Sequence, residues 1–285
     1  MILQGTRWLL RSFATLTALA FVVLFVLASS TEHHFAWTIQ PPATASFLGA
    51  AYAAGCVLVV LALLSGSWAA MRIPYLTILV FAVLSLLATV VHIDRFHFGS
   101  SGSLPRFAAW LWLAIYIVVP VAMAIMLIRQ ERRHALSPGL AAEIAETTGD
   151  RVRLPRLLAG ALMVQGAVLL VLGLALYLVP ALERLLWPWA LTPLTARAVA
   201  SWLIAFGLGA VLAGRADDLA RLEICAWSYG LMAVLEIVVV ARHYDLIRWT
   251  QPASWGYLLL LLGILATSAA GVGLIRGRAP TTSPR

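Results

Sequence analysis

Eight long apolar segments, separated by polar connections, dominate the pattern of the chain. Each is about 17 to 23 residues long, close to the roughly 20 residues with which a helix crosses the hydrocarbon core of a bilayer. We therefore predict eight transmembrane helices. Their approximate bounds are Phe13 to Ser29, Ala43 to Leu64, Pro74 to Val91, Phe107 to Ile128, Leu157 to Val179, Thr195 to Ala213, Ile224 to Ala241 and Ser254 to Ile275.

The first apolar segment has two interpretations. Arg7 and Arg11 precede it and small residues follow it at 28–30, as in a signal peptide. However, the run is long for a signal core, and a counterpart begins at Leu157. We favour an uncleaved first helix, since cleavage would leave seven helices and break the symmetry described next.

One offset relates two kinds of motif. The stretch WTIQPPATA, residues 37–45, returns as WALTPLTA, residues 189–196, and a His-x-Asp pair also occurs twice. A shift of 151 residues aligns a proline and a threonine of the first motif and both residues of the His-x-Asp pair with their counterparts. This is the pattern of an internal duplication. The aligned pairs are Pro42 with Pro193, Thr44 with Thr195, His92 with His243, and Asp94 with Asp245.

The duplication predicts the architecture. Four helices per copy return the chain to its starting side, so the second copy enters the membrane in the same direction as the first. We expect an all-α integral membrane protein of two parallel four-helix repeats, related by a pseudo-twofold axis along the membrane normal. The predicted units are residues 1–128 (first repeat), 129–156 (cytoplasmic linker), 157–275 (second repeat) and 276–285 (disordered tail). Within the linker, Ser137 and Pro138 predict the start of a short surface helix.

Composition and charge agree with a membrane protein. Hydrophobic residues make up 62% of the chain and charged residues only 11%, against roughly 25% in soluble domains. The net charge is +8, but every basic residue is Arg and these lie between apolar segments, so we do not expect nucleic acid as a partner. With a cytoplasmic N-terminus, 14 of the 20 Arg residues fall inside, which predicts that both termini are cytoplasmic.

The repeated WTIQPPATA motif suits the start of a helix at the outer membrane surface. Tryptophan rings favour the headgroup level, proline is tolerated in a first helical turn, and threonine can bond the backbone there. Small residues follow in both copies, which predicts close helix packing or, alternatively, the lining of a ligand site. The residues of this structural motif are Trp37, Pro41, Pro42, Thr44, Trp189, Pro193 and Thr195.

The repeated His-x-Asp pair offers candidate metal ligands at the outer ends of the third and seventh helices. If these helices end there, His92, Asp94, His243 and Asp245 supply two imidazoles and two carboxylates, a set that suits a divalent transition metal, and the two imidazoles could ligate haem. The alternatives are polar side chains at an interface, Asp–Arg pairs, or proton or substrate binding.

Glu236 is the only acidic residue well inside an apolar segment. An ionisable residue at such depth is a functional candidate, and it lies seven residues from His243, on the same helix face. It could relay protons, bind a cofactor or hold a cation. The structural alternative is a hydrogen bond to a neighbour such as Gln165 or Tyr177.

The stretches FAWTIQPPATASFLGAAY and WPWALTPLTARA resemble a duplicated motif of uncharacterised bacterial multi-pass membrane proteins. The resemblance covers these two stretches and implies a duplicated protein of the bacterial inner membrane. It implies no catalytic residue.

Three functional hypotheses follow. The favoured one is a non-enzymatic protein, either an accessory subunit of a membrane complex or a binding or transport protein for a small apolar ligand, with its site on the extracytoplasmic side between the repeats. Seven of the eleven Trp lie near the outer boundary, either as an interfacial belt or as the lining of such a site. The second is a redox protein with haem or metal at His92 and His243. The third is a lipid enzyme that uses Glu236 and Asp245.

Overall fold

The described part of the chain is almost entirely helical. The computed structural model describes residues 4–66, 68–135, 153–216 and 218–277. Eight of its helices are long and apolar enough to cross a membrane, and the chain is therefore a polytopic membrane protein in a lipid bilayer. The helices are α1 (Gln4–Phe21), α2 (Pro42–Ser65), α3 (Trp68–Val91), α4 (Ser103–Ala135), α5 (Arg156–Leu178), α6 (Pro193–Ala216), α7 (Leu219–Arg242) and α8 (Pro252–Arg276).

Several helices extend beyond the spans that the hydropathy pattern predicts. Helix α3 begins at Trp68 and continues through Pro74, and α4 continues to Ala135, inside the predicted linker. Proline is tolerated in membrane helices, and the charges beyond the apolar segments are paired: Arg72 of α3 lies 3.2 Å from Glu131 of α4. The helix predicted from Ser137, and residues 278–285 of the predicted tail, lie outside the described residues.

Short helical turns gather at one end of the bundle. Helix α1 continues as a π-helical turn, Val22–Val26, before the chain reaches α2. The connections after α3, α5 and α7 each contain a 3₁₀ turn. We call this end, formed by residues 22–41, 92–102, 179–192 and 243–251, the motif end.

The bundle has an inner and an outer layer of helices. In the apolar windows of α2, α3, α6 and α7, 56 to 72% of the residues are buried, compared with 17 to 28% in α1, α4, α5 and α8. Helix α2 packs between α1 and α7, and α6 packs between α5 and α3. The inner helices therefore join the two halves of the chain, and the outer helices present most of the lipid-facing surface.

Glycines allow outer and inner helices to approach closely. Gly166 of α5 faces Gly207 of α6, and a Cβ atom on either would lie 2.8 Å from the carbonyl oxygen of the other. On the opposite side, a Cβ on Gly49 of α2 would lie 2.6 Å from the backbone nitrogen of Phe25, in the π-helical turn. Arg242 of α7 donates to the carbonyl oxygen of Phe25 (2.7 Å), so the irregular turn is tied to the inner layer.

Candidate functional site

The prolines and threonines of the repeated motif start the inner helices, as the sequence indicates. Pro42 and Pro193 occupy the first positions of α2 and α6, where a missing backbone N–H has no cost. In the second copy, Thr192 and Thr195 bond each other reciprocally: each backbone N–H donates to the hydroxyl of the other, at 2.8 and 3.2 Å. This cap fixes the start of α6.

The motif tryptophans are buried, which differs from the headgroup position expected for them. Trp37 packs against Phe96 and Trp112, with ring centroids 5.1 and 4.8 Å apart. Trp189 is also buried, and its Nε1 donates to the hydroxyl of Thr44 at 2.9 Å. Since Thr44 belongs to α2 and Trp189 to the second half, this bond connects the two halves at the motif end.

The two histidines of the His-x-Asp pairs contact different helices. Each follows the last residue of its helix, at the motif end. His92 Nε2 lies 2.7 Å from Nη1 of Arg197 on α6, and His243 Nε2 lies 2.9 Å from the hydroxyl of Ser46 on α2. Both side chains therefore bridge the halves of the molecule.

Their surroundings disfavour the charged imidazole. Burial, and then the positive charge of Arg197, lowers the pKa of His92, against a smaller opposing effect of Asp94. For His243, burial and then the charge of Arg242 lower the pKa. Neutral imidazoles fit the observed hydrogen bonds, because Nε2 of His92 must be unprotonated to accept from a guanidinium.

The carboxylates of the two His-x-Asp pairs are both exposed, and Asp94 forms an ion pair. Asp94 lies 3.0 Å from Arg95, and both side chains are about two-thirds exposed. Asp245 is exposed beside the turn at Tyr244–Leu246. Among the described residues no group of three or more His, Cys, Asp or Glu is placed to hold a metal ion, so His92, Asp94, His243 and Asp245 are not assembled in this arrangement. The predicted ligation of metal or haem stays a prediction.

Glu236 is completely buried in α7. One of its carboxyl oxygens, Oε2, accepts a hydrogen bond of 2.7 Å from the hydroxyl of Tyr257 on α8. The other oxygen, Oε1, has no hydrogen-bond partner. Tyr257 therefore takes the place of the partners suggested by the sequence, since Gln165 bonds Thr267 and Tyr177 bonds a backbone carbonyl of α3.

A small cavity adjoins Glu236. Glu236 lies six residues, or about 9 Å along the helix, from the motif end of α7. The cavity offers about 30 Å³ to the centres of water-sized molecules, which is room for about two of them. Its walls are aromatic and aliphatic. The lining residues include Phe47 of α2, Trp187 and Tyr257.

A second unpaired group lines the same cavity. Trp187 is fully buried, and its Nε1 has no hydrogen-bond partner. Its ring packs against the ring of Tyr257, with centroids 5.3 Å apart. Buried polar atoms are normally hydrogen-bonded, so an unpaired donor and an unpaired carboxyl oxygen beside one cavity indicate a place for a ligand or for water.

Sequence reasoning identified Glu236 but missed Trp187 and Tyr257 as its neighbours. Trp187 is one of the seven Trp near the predicted outer boundary, which the sequence assigns to a belt or to a site lining without connecting them to Glu236. Tyr257 lies 21 residues from Glu236, on the next helix. Comparisons of the chain with protein-family models, curated proteins and solved structures found no match. The eight apolar helices alone therefore define the class of this protein, which is a polytopic membrane protein.

Proposed function

We propose that the chain is an internally duplicated membrane protein, with parallel repeats at residues 1–128 and 157–275 related by a pseudo-twofold axis along the membrane normal. Helix bounds support this proposal. Those of α2 and α6 differ by 151 residues at both ends, and so do those of α3 and α7. This is the offset of the sequence motifs.

Reciprocal contacts also support the duplication. Ser46 contacts His243, and Arg197 contacts His92, while the offset of 151 residues carries Ser46 onto Arg197 and His92 onto His243. Equivalent backbone bonds also occur within each half: residue 97 donates to residue 36 (2.9 Å), and residue 248, which follows residue 97 by 151 positions, donates to residue 188 (2.8 Å), which follows residue 36 by 152. A parallel pseudo-twofold arrangement produces such reciprocal pairs.

The orientation we propose places both termini in the cytoplasm and the motif end outside, in the bacterial inner membrane. Its support is the excess of Arg in the segments at the opposite end of the bundle, together with the resemblance of the repeated motif to bacterial multi-pass proteins.

As for function, we infer a non-enzymatic protein that binds a small, largely apolar molecule in the cavity beside Glu236. One observation carries this inference: Glu236 is fully buried, one of its carboxyl oxygens has no partner, and the residue lines a cavity whose other walls are largely apolar. Binding sites typically combine apolar walls with a few convergent polar groups. Phe47 of the first repeat contributes to the lining, so the site lies at the junction of the repeats.

Binding is favoured over transport because the next polar side chains of α7 are already paired. The hydroxyl of Ser228 donates to the carbonyl oxygen of Ala54 (2.8 Å), and that of Tyr229 to the carbonyl oxygen of Phe206 (2.7 Å). These bonds leave no polar path below Glu236 along α7. Catalysis by paired acid and base groups is also disfavoured, because Glu236 is the only carboxyl group among the described residues that line the cavity.

The test is to fill the cavity. Leu261 lines it, and Leu262, its neighbour on α8, is 55% exposed and does not. Protein purified in lipid discs is extracted, and small molecules present in stoichiometric amount are measured by mass spectrometry. We expect a molecule that accompanies the wild type and the Leu262→Phe control, and that Leu261→Phe loses. Extracts without such a molecule, or equal amounts in all three proteins, would refute the binding function.

A further inference from the structure

The Glu236 cavity presents two different hydrogen-bonding requirements. The Nε1 of Trp187 can only donate, whereas Oε1 of Glu236 accepts as a carboxylate and can donate as a carboxylic acid. Neither atom has a partner, although both residues are fully buried. Tyr257 contacts both: its hydroxyl bonds Glu236 and its ring packs on Trp187. The two unpaired groups therefore belong to residues that line the same cavity.

A hydroxyl group meets these requirements best. An ammonium group would pair with a carboxylate but would leave the N–H of Trp187 without an acceptor. A carbonyl oxygen would accept from Trp187 but would pair with Glu236 only in its protonated form. A hydroxyl both donates and accepts, so it satisfies both residues in either protonation state of the carboxyl group.

The cavity wall indicates where the rest of such a ligand would lie. The space offers room for about two water-sized groups. On one side it is bounded by Leu172 of α5 and Leu260 of α8, which are partly exposed and belong to the outer layer. An apolar chain attached to the hydroxyl would therefore leave between these two leucines and enter the lipid.

We propose that the Glu236 cavity binds the hydroxyl end of a membrane-soluble alcohol, with the hydroxyl between Glu236 Oε1 and Trp187 Nε1 and the apolar chain passing outward between α5 and α8. This inference rests on the proposed binding function. It adds the chemical class of the ligand and its route from the bilayer.

The probe is 1-dodecanol with a photoreactive diazirine on its chain, compared with the methyl ether of the same molecule. Both partition into the bilayer of lipid discs, but only the alcohol donates a hydrogen bond. We expect the alcohol to label peptides of α5 and α8 saturably, about tenfold more strongly than the ether, because only the alcohol can donate a buried hydrogen bond to Glu236. Excess 1-dodecanol should compete.

Variants locate the bound group. Glu236→Leu should reduce labelling by the alcohol several-fold, towards the level of the ether, without changing labelling by the ether. Trp187→Phe should reduce labelling by the alcohol several-fold as well, and labelling by the ether too, because the indole N–H can donate to either oxygen. Trp255→Phe is the matched control, since Trp255 is 57% exposed on α8. Leu172→Trp, at a partly exposed position, should block the route while leaving the polar pair intact, and it keeps the proposal testable if Trp187→Phe does not fold.

The outcomes separate the two proposals. Equal labelling by alcohol and ether would overturn the hydroxyl assignment, and the binding function would stand if Leu261→Phe still removes a co-purified molecule. Labelling by neither probe would mean that the cavity holds water only, and would overturn this inference. Labelling by the alcohol that persists in both Trp187→Phe and Glu236→Leu would place the hydroxyl elsewhere and overturn it as well.

Discussion

At the residue scale, the bond between Tyr257 and Glu236 is costly to remove. Tyr257→Phe takes away the only donor to Glu236 among the described residues, so both carboxyl oxygens would be buried without a partner. We expect a loss of about 1 to 3 kcal/mol in the free energy of unfolding, measured by detergent denaturation. Tyr244→Phe, at a 63% exposed side chain, should change it by less than about 0.5 kcal/mol. If both variants changed the free energy of unfolding equally, the hydrogen bond from Tyr257 to Glu236 would contribute nothing to stability.

His92 predicts a pH dependence of stability. Burial and Arg197 lower its pKa in the folded protein, so the folded state binds fewer protons there than the unfolded chain, whose imidazole titrates near 6.5. The stabilisation is complete above that value and is lost as the pH falls through and below it. Protonation would also break the hydrogen bond from Arg197 and place two positive charges together, with only Asp94 opposing.

The measurement is the unfolding midpoint between pH 7.5 and 5 for wild type and His92→Gln. Glutamine keeps an acceptor for Arg197 but does not titrate, so the variant should lose less stability on acidification. His33→Gln, at an exposed histidine whose side chain is 72% accessible, should retain the wild-type dependence. If the unfolding midpoint fell equally with pH in all three proteins, His92 would not be the cause of the pH dependence.

The sequence indicates Glu236 as a candidate site residue, but it does not indicate which residues contact it. Glu236 could be identified because a carboxyl group is rare inside an apolar segment. Its contact with Tyr257, and the position of Trp187 beside them, depend on how α7 and α8 pack, and no local pattern encodes that packing. The burial of Trp189 has the same cause: an indole suits the membrane interface, but here Thr44 accepts its N–H within the bundle.

At the scale of elements, the contact of α5 with α6 depends on two glycines. Gly207→Ala would bring a Cβ to 2.8 Å from the carbonyl oxygen of Gly166, which is backbone and cannot turn aside. We expect a destabilisation of about 1 to 3 kcal/mol, typical of overpacking. Gly160→Ala on α5 is the control, since its Cβ would meet no atom within 4 Å. Detergent denaturation of both variants measures the difference, and a neutral Gly207→Ala would mean that the helices are not in backbone contact.

The number and approximate bounds of the helices followed from hydropathy, because a bilayer sets the length of each apolar segment. The ends were less predictable. The charged pair of Arg72 and Glu131 continues α3 and α4 beyond their apolar segments, and hydropathy cannot detect such pairing. The division into inner and outer helices was not predicted either, since in a membrane the buried and the lipid-facing sides are both apolar.

At the scale of the whole molecule, the parallel arrangement makes a prediction about sidedness. Ser101 and Thr250 are exposed in the connections after α3 and α7, at the motif end, whereas Gly277 follows α8 at the other end. In a background with Cys56→Ala and Cys225→Ala, a membrane-impermeant thiol reagent should label both Ser101→Cys and Thr250→Cys in intact cells. It should label Gly277→Cys only after permeabilisation.

The pattern of labelling separates the symmetry from the orientation. If the repeats were antiparallel, Ser101→Cys and Thr250→Cys would react from opposite sides of the membrane. If the repeats are parallel but the Arg excess misassigns the sides, both would stay unlabelled in intact cells while Gly277→Cys reacts. The predicted result also fixes where the Glu236 cavity lies, because Glu236 is six residues from the motif end of α7. A ligand would then reach the cavity from the outer half of the bilayer.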